Sequence, residues 1–229
     1  MTGLEGKEPF MNVYVGSRAG KTIAGIILLP ALLSACASVG SPADAQMSLL
    51  PRSHELLAMG RLPEALRLTG RAISLDGPTP FLLNQMALIR VREGHPKMAL
   101  RVLTHATRLY PHSTILTLNL ATEQLVSRQP ALARATLRPI LARGTWPNGF
   151  RTLMGRIDLD TGHLAESGLF LHEALDRHPG NPLLLATMGL LHQRMGQEHE
   201  AREDFRKALV HAPPGPLRTR LYALLEPHE

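Results

Sequence analysis

Residues 182–213, PLLLATMGLLHQRMGQEHEAREDFRKALVHAP, decide the fold of this chain. Apolar residues recur at helical spacing on both sides of Gly196, and Pro213 ends the second run. The pattern predicts two amphipathic helices joined by a tight turn. Because two helices alone cannot bury their apolar faces in water, this hairpin needs neighbouring hairpins.

The same features recur upstream at intervals of 34 residues. Five columns of small residues, turn residues and helix-ending residues share this period: Ala208, Ala174, Ile140, Ala106 and Ala72; Ala201, Ser167, Ala133, Ala99 and Ala65; Gly189, Gly155, Ala121, Ala87 and Ser53; Gly196, Gly162, Arg128, Gly94 and Gly60; Pro213, Pro179, Thr145, Pro111 and Gly77. Small residues allow two helices to cross closely, and glycine and proline end helices.

This pattern resembles the tetratricopeptide repeat (TPR), a 34-residue helix–turn–helix unit. The resemblance implies an all-α solenoid with five copies, at 46–79, 80–113, 114–147, 148–181 and 182–215. The first copy lacks large residues in its first helix. The third copy has Arg128 in place of the turn glycine and Pro130 close by, so we expect it to be the least regular. At the glycine-rich joint 144–149 we expect an altered angle between repeats.

The chain divides into four segments on this reading. We predict a signal peptide at 1–35, a flexible lipid-anchored tether at 36–47, the TPR array at 48–215 and a C-terminal capping helix at 216–229. The cap is predicted from leucines at helical spacing after Pro216, because the last unit of a stacked array needs a polar outer face.

The composition agrees with helices and argues against several partners. Of 229 residues, 44% are hydrophobic and only 4% are aromatic, which suits helices packed through small residues. The net charge is +6, but the basic residues are dispersed along the chain. We interpret them as a solvated surface and predict no nucleic-acid partner. A single cysteine excludes an intramolecular disulfide.

That cysteine ends a segment typical of bacterial secretion. Arg18 and Lys21 precede an apolar stretch, which leads into Leu-Ser-Ala-Cys at 33–36. The last four residues resemble a lipobox, which implies that Cys36 is acylated on sulfur and becomes the first residue after cleavage. In such lipoproteins an Asp directly after the acylated cysteine implies retention at the inner membrane, and this chain has Ala37 there. The resemblance therefore points to the outer membrane of a Gram-negative bacterium, with the protein facing the periplasm. The start codon is either Met1 or Met11, and the alternative is a plain signal peptide or membrane anchor followed by an ordinary cysteine.

No motif indicates an enzyme. Residues 15–22, VGSRAGKT, resemble a phosphate-binding P-loop, but Val15 stands in the place of the first glycine and no βαβ unit follows. The 11 histidines contain no metal-binding spacing, and several fall at helix ends. No nucleophile elbow is present. We therefore predict no catalytic residue, cofactor, metal or small-molecule substrate.

The TPR resemblance implies a concave groove lined by the first helix of each pair, where a protein client would bind. Carried over position by position, the candidate contacts are Asn84, Leu88, Arg92, Thr122, Arg156, Asp160, Gln193 and Arg194. Six further residues share these inner positions: Phe81, Leu118, Leu125, Thr152, Leu183 and Leu190. The arginines could pair with carboxylates of an extended or helical peptide.

The layout of signal, Cys36, short tether and TPR array looks most like the TadD-type lipoproteins of tight-adherence (Flp) pilus assembly, and residues 118–121, LNLA, are also reminiscent of them. This resemblance implies a scaffold that helps to assemble or localise a secretin and its pilus. Alternatives are a type IV pilus pilotin or an outer-membrane-protein assembly factor, an adaptor for peptidoglycan or polysaccharide export, and an enzyme or nucleotide-binding protein.

Overall fold

A computed structural model describes residues 49–226. The described chain is entirely helical, which confirms the all-α prediction. The helices are α1 (Leu49–Ala58), α2 (Leu62–Asp76), α3 (Pro80–Arg92), α4 (Pro96–Leu109), α5 (Thr114–Val126), α6 (Pro130–Arg143), α7 (Phe150–Thr161), α8 (Leu164–Arg177), α9 (Pro182–Arg194), α10 (Glu198–His211) and α11 (Pro216–Leu225). None of these eleven helices is long and apolar enough to cross a membrane.

The helices pack as five successive hairpins, and each hairpin packs against the next. The first helices, α1, α3, α5, α7 and α9, also contact one another in order, so they line one side of the solenoid. The second helices, α2, α4, α6, α8 and α10, form the other side. Helix α11 packs against α10 and ends the array. The signal, Cys36 and tether predictions, like the 15–22 motif, concern residues outside the described part of the chain.

The second helices keep the 34-residue period without exception, beginning at Leu62, Pro96, Pro130, Leu164 and Glu198. Pro96 and Pro130 occupy the first helical turn, where the missing N–H leaves no hydrogen bond unmade. Pro130 therefore starts α6 and does not disturb the third copy. The departure from the period lies further on, because α7 begins at Phe150, two residues later than position 148 of the frame.

The turn inside the third copy is as regular as the others. Arg128 has φ 61°, in the left-handed region, where the four equivalent glycines have φ between 75° and 83°. A residue with a Cβ adopts this conformation at a cost of about 1–2 kcal/mol. The helical frame on both sides therefore dictates the turn, and the expectation of an irregular third copy is wrong at this point.

The core of each hairpin contains a contact between two residues that are 16 positions apart. Gly189 faces Phe205, and a Cβ at Gly189 would lie 2.5 Å from a ring carbon. Gly155 faces Leu171 in the same way, at 2.7 Å from Cγ. Corresponding positions in the second and third copies hold alanine and leucine, all buried: Ala87 with Leu103, and Ala121 with Leu137.

In the first copy, polar side chains form the equivalent contact. Ser53 Oγ and Thr69 Oγ1 are 2.7 Å apart, and both side chains are fully buried. Gln85 Nε2 donates to Ser53 Oγ at 2.8 Å, which links the first copy to α3. Ser53 and Thr69 thus stand where the second and third copies have alanine and leucine, and their hydrogen bonds satisfy the buried hydroxyl groups.

Aromatic rings fill the joint between the third and fourth copies. Trp146 stacks on Phe150 and meets Phe170 edge-on, with centroids 5.5 Å apart in both pairs. The guanidinium of Arg151 lies 4.8 Å from the centre of the Trp146 ring, a cation–π contact. The segment 144–149, which connects α6 to α7, is thus packed against the array.

Candidate functional site: a groove on the first helices

A groove with a volume of about 310 Å³ opens on the side formed by the first helices. Its walls come from α1, α3 and α5, and one end is closed by the joint residues Asn148 and Gly149 together with Leu153 of α7. No residue of a second helix lines it. We call this cavity the N-terminal groove.

Two large apolar side chains stand exposed in the N-terminal groove. Phe81 and Ile115 are 53% and 50% exposed, and they occupy the same position in successive copies. Leu88 and Leu118 continue the apolar surface between them. Exposed apolar side chains that are gathered in a concave surface indicate a binding site, whereas isolated ones are common on any protein.

An amide pair lies between these apolar residues. Asn119 Nδ2 donates a hydrogen bond to Asn84 Oδ1, joining α5 to α3 across the groove floor. Each amide has further donor and acceptor capacity. Two such amides between apolar pockets suit an extended peptide, whose main chain offers donors and acceptors at regular intervals.

Two other predicted residues of the groove already have partners within the fold. Arg92 Nη1 donates to the carbonyl oxygen of Leu57 at 2.8 Å, close to the C-terminus of α1. Thr122 Oγ1 donates to the carbonyl oxygen of Leu118 at 2.9 Å. Arg92 therefore both holds α1 against α3 and places a positive charge at the groove, while no described carboxylate lines it.

The other four predicted residues lie apart from the N-terminal groove. Arg156 lines a much smaller cavity that α9 and α11 largely fill with leucines. Its guanidinium also pairs with Asp160, with Nε and Oδ1 3.3 Å apart. Gln193 is half-buried and Arg194 is exposed at the end of α9, and neither lines either of these cavities. The structure thus brings together Asn84, Leu88, Arg92 and Thr122.

Sequence reasoning missed Ile115, Asn119 as a groove residue, His54 and Asn148. Ile115 had a usable signal, since it lies 34 residues after Phe81. Asn119 and Asn148 had none, because their places in the groove depend on the packing between copies and on the two-residue delay at the joint.

Three described carboxylates are buried, those of Glu123, Asp158 and Asp204. Glu123 on α5 occupies a column in which Ile89, Ile157 and Leu191 are buried apolar residues. Burial raises the pKa of Glu123 from 4.5 to about 7, and its Oε2 has no hydrogen-bond partner. The folded state therefore keeps the proton to higher pH than the unfolded state does. The contribution of neutral Glu123 to the free energy of unfolding is fully present below about pH 4.5. It is lost as the pH rises through about 7, by up to about 3 kcal/mol.

Asp158 on α7 is the second buried carboxylate. Its side chain is fully buried, and its Oδ1 accepts a hydrogen bond from Arg134 Nε of α6 at 2.7 Å. Burial raises the pKa of Asp158, and the neighbouring Arg134 partly offsets this effect. The ion pair joins the third copy to the fourth, and neither carboxylate opens onto the N-terminal groove. No three described His, Cys, Asp or Glu side chains are close enough together to hold a metal ion.

Hairpins of this kind, stacked at a 34-residue period around a groove, define a TPR solenoid. No protein-family model and no curated protein sequence matches the chain. Solved structures with the same fold do. MamA from Desulfovibrio magneticus RS-1, residues 41 to the end, is 21% identical with a TM-score of 0.62, covering 76% of this chain and 97% of that one.

Two other solved structures give the same result. A TPR protein from Parabacteroides merdae is 18% identical with a TM-score of 0.66, covering 82% of this chain and 72% of that one. YrrB, described as a TPR protein with an unusual peptide-binding site, is 19% identical with a TM-score of 0.59, covering 80% of this chain and 94% of that one. These similarities confirm the TPR fold predicted from the repeats.

Proposed function

We propose that this protein is a non-catalytic scaffold that binds an extended segment of a protein client in the N-terminal groove. The observation that carries the proposal is the pairing of exposed Phe81 and Ile115 around the Asn84–Asn119 amide pair. The apolar side chains would take alternate side chains of the client, and the amides would bond its main chain. The peptide-binding site named for YrrB supports this reading by analogy of fold.

We further propose that the scaffold is a lipoprotein of the outer membrane, attached through Cys36 and facing the periplasm. Its client would be a secretin or another component of tight-adherence pilus assembly. Support comes from the lipobox-like residues 33–36 and from the layout of the chain. Several acyl chains on one residue would hold the protein on the membrane, at about 0.8 kcal/mol for each buried CH₂.

Site-specific photocrosslinking in the native organism tests the client. A photoreactive amino acid at Phe81 should crosslink to a secretin or pilus-assembly subunit, as identified by mass spectrometry. The matched control places it at Leu169, which is also a large, exposed apolar residue but lies on a second helix. Equal crosslinking from both positions, or crosslinking from Phe81 to export enzymes for polysaccharide, would overturn the proposed client.

The anchor is tested separately by metabolic labelling with a palmitate analogue. We expect the wild-type protein to be labelled and to fractionate with the outer membrane, and Cys36→Ser to lose the label. A Cys36→Ser protein that remains labelled would show that the lipobox interpretation is wrong.

A further inference from the structure

The balance of charge on the second helices differs between the two halves of the array. Helices α2, α4 and α6 carry eight Lys and Arg residues against two carboxylates, whereas α8 and α10 carry four against seven. The folded array therefore has a basic second-helix surface in its first three copies and an acidic one in its last two.

Seven of these eight basic side chains are exposed: Arg67, Arg71, Lys97, Arg101, Arg108, Arg138 and Arg143. We call this set the basic face. Within the described part of the chain, none of the seven has a carboxylate at ion-pair distance. Of the two carboxylates on the same helices, Glu64 is paired with Arg61 at 2.6 Å and so adds little negative potential.

Exposed leucines accompany the basic residues. Leu75, Leu109 and Leu132 lie on α2, α4 and α6, and about half of each side chain is accessible. Leu75 and Leu109 are one period apart, near Arg71 and Arg108. Cationic side chains interspersed with exposed leucines suit the interface of an anionic bilayer, where the charge meets the headgroups and the leucine enters the acyl boundary.

We infer that the basic face binds an anionic phospholipid surface. It is formed by second helices, whereas the N-terminal groove is formed by first helices of the same copies. A membrane on the basic face would therefore leave the groove open to a client. Single-stranded nucleic acid fits less well, because no aromatic platform lies among these residues on α2, α4 and α6 for bases to stack on.

Binding of lipid by the basic face does not require the acyl chains proposed at Cys36, but it is compatible with them. Twelve residues, 37–48, lie between Cys36 and Leu49, and a chain of that length spans at most about 45 Å. An anchored protein would thus hold its first copies close to the lipid surface.

The test measures cosedimentation of the full chain carrying Cys36→Ser with two kinds of vesicle. One kind is phosphatidylcholine alone, and the other is an equal mixture of phosphatidylcholine and phosphatidylglycerol. Any binding by apolar residues is common to both, so the difference reports charge. We expect binding to the mixed vesicles to be stronger by about tenfold or more at low salt and to weaken as salt is added.

The variant Arg71→Glu, Arg101→Glu, Arg108→Glu should lower binding to the mixed vesicles by about tenfold or more. Its matched control is Arg177→Glu, Arg202→Glu, Arg206→Glu, which changes the net charge equally through exposed residues of α8 and α10. The control should lower binding by less than about twofold at about 0.15 M salt, because those residues lie on α8 and α10, outside the basic face, and salt screens the remaining long-range attraction.

Circular dichroism establishes that both variants are folded, and a second set with glutamine in place of glutamate avoids introducing repulsion. Equal losses in the two variants would show that only net charge matters and would overturn the inference. So would equal binding to both kinds of vesicle, or a basic-face variant that loses binding to single-stranded DNA while its vesicle binding is unchanged. None of these outcomes bears on Cys36 or on the groove, so a failure here is distinct from a failure of the proposed function.

Discussion

Replacing Gly189 with alanine tests whether close packing determines the residue pairs in the hairpin cores. In an exposed helix this substitution stabilises by about 0.5–1 kcal/mol. Here the new Cβ would lie 2.5 and 2.6 Å from two ring carbons of Phe205 and 3.1 Å from the carbonyl oxygen of Ala201. Carbon atoms in contact lie about 3.5–4.0 Å apart, so the ring would have to move by about 1 Å. Phe205 is buried in a packed cluster, and we expect a net loss of about 2 kcal/mol.

A second substitution should remove this cost. Phe205→Leu alone should destabilise by about 1 kcal/mol through lost packing. Combined with Gly189→Ala it recreates the alanine–leucine pair found at Ala87 and Leu103. We therefore expect the double variant to be no less stable than Phe205→Leu alone, which corresponds to a coupling of about 2 kcal/mol between the two sites.

Urea unfolding, followed by far-ultraviolet circular dichroism and by Trp146 fluorescence, measures all three variants. The matched control is Gly155→Ala, where the Cβ would meet Leu171 Cγ at 2.7 Å. Its cost should be smaller, since alanine and leucine already share this contact in two copies and the leucine can change rotamer. A neutral Gly189→Ala, or a double variant in which the two losses simply add, would refute the packing argument.

Three other substitutions test single features of the fold. Arg128→Gly should be more stable than the control Arg128→Ala by about 0.5–1 kcal/mol, because glycine relieves the left-handed turn; equal urea midpoints would contradict this. Glu123→Leu should stabilise by about 2–3 kcal/mol at about pH 8 and much less at about pH 4.5, so an unchanged pH dependence of unfolding would contradict burial of this carboxyl. Arg134→Ala should destabilise by about 2 kcal/mol near neutral pH because it leaves the Asp158 carboxylate buried alone. Asp158→Asn in that background should recover part of the loss, and no recovery would show that Arg134 acts through packing.

The sequence was sufficient for the repeat architecture because each copy must present small residues at the same crossings. Ala65, Ala99 and Ala133 lie in one column, and all are fully buried as the 34-residue period predicts. Each copy packs against neighbours that are themselves repeats. The need for a small residue at a helix crossing in one copy therefore applies to the next copy as well.

Residue type was a poor guide wherever one copy departs from the others in chemistry but not in backbone. Arg128 looked like a defect, yet it adopts the conformation of the equivalent glycines. Glu123 is an ionisable residue, yet it lies in a core column. In both cases the helices on either side impose the position, and local residue preference is overridden by a few kcal/mol of packing.

The groove could be predicted only in part because its extent depends on features between copies. Position within the repeat correctly placed Asn84, Leu88, Arg92 and Thr122 on one surface. It could not show that α9 and α11 fill the other end with leucines, or that Asn148 closes the N-terminal groove. These features arise from the half-repeat α11 and from the two-residue delay before α7.

The architecture also explains how two surfaces of different chemistry can coexist in the same three copies. Two sets of residues lie outside the core columns: those of the first helices that face the groove, and those of the second helices that face away from it. Substitutions in either set leave the alanine crossings unchanged, so charge can accumulate on α2 and α4 while α3 and α5 keep apolar and amide groups. The photocrosslink at Phe81 and the vesicle test at Arg71 therefore probe independent sites. A charge reversal on the basic face should leave crosslinking from the groove unchanged in cells, provided that the lipid at Cys36 keeps the protein on its membrane.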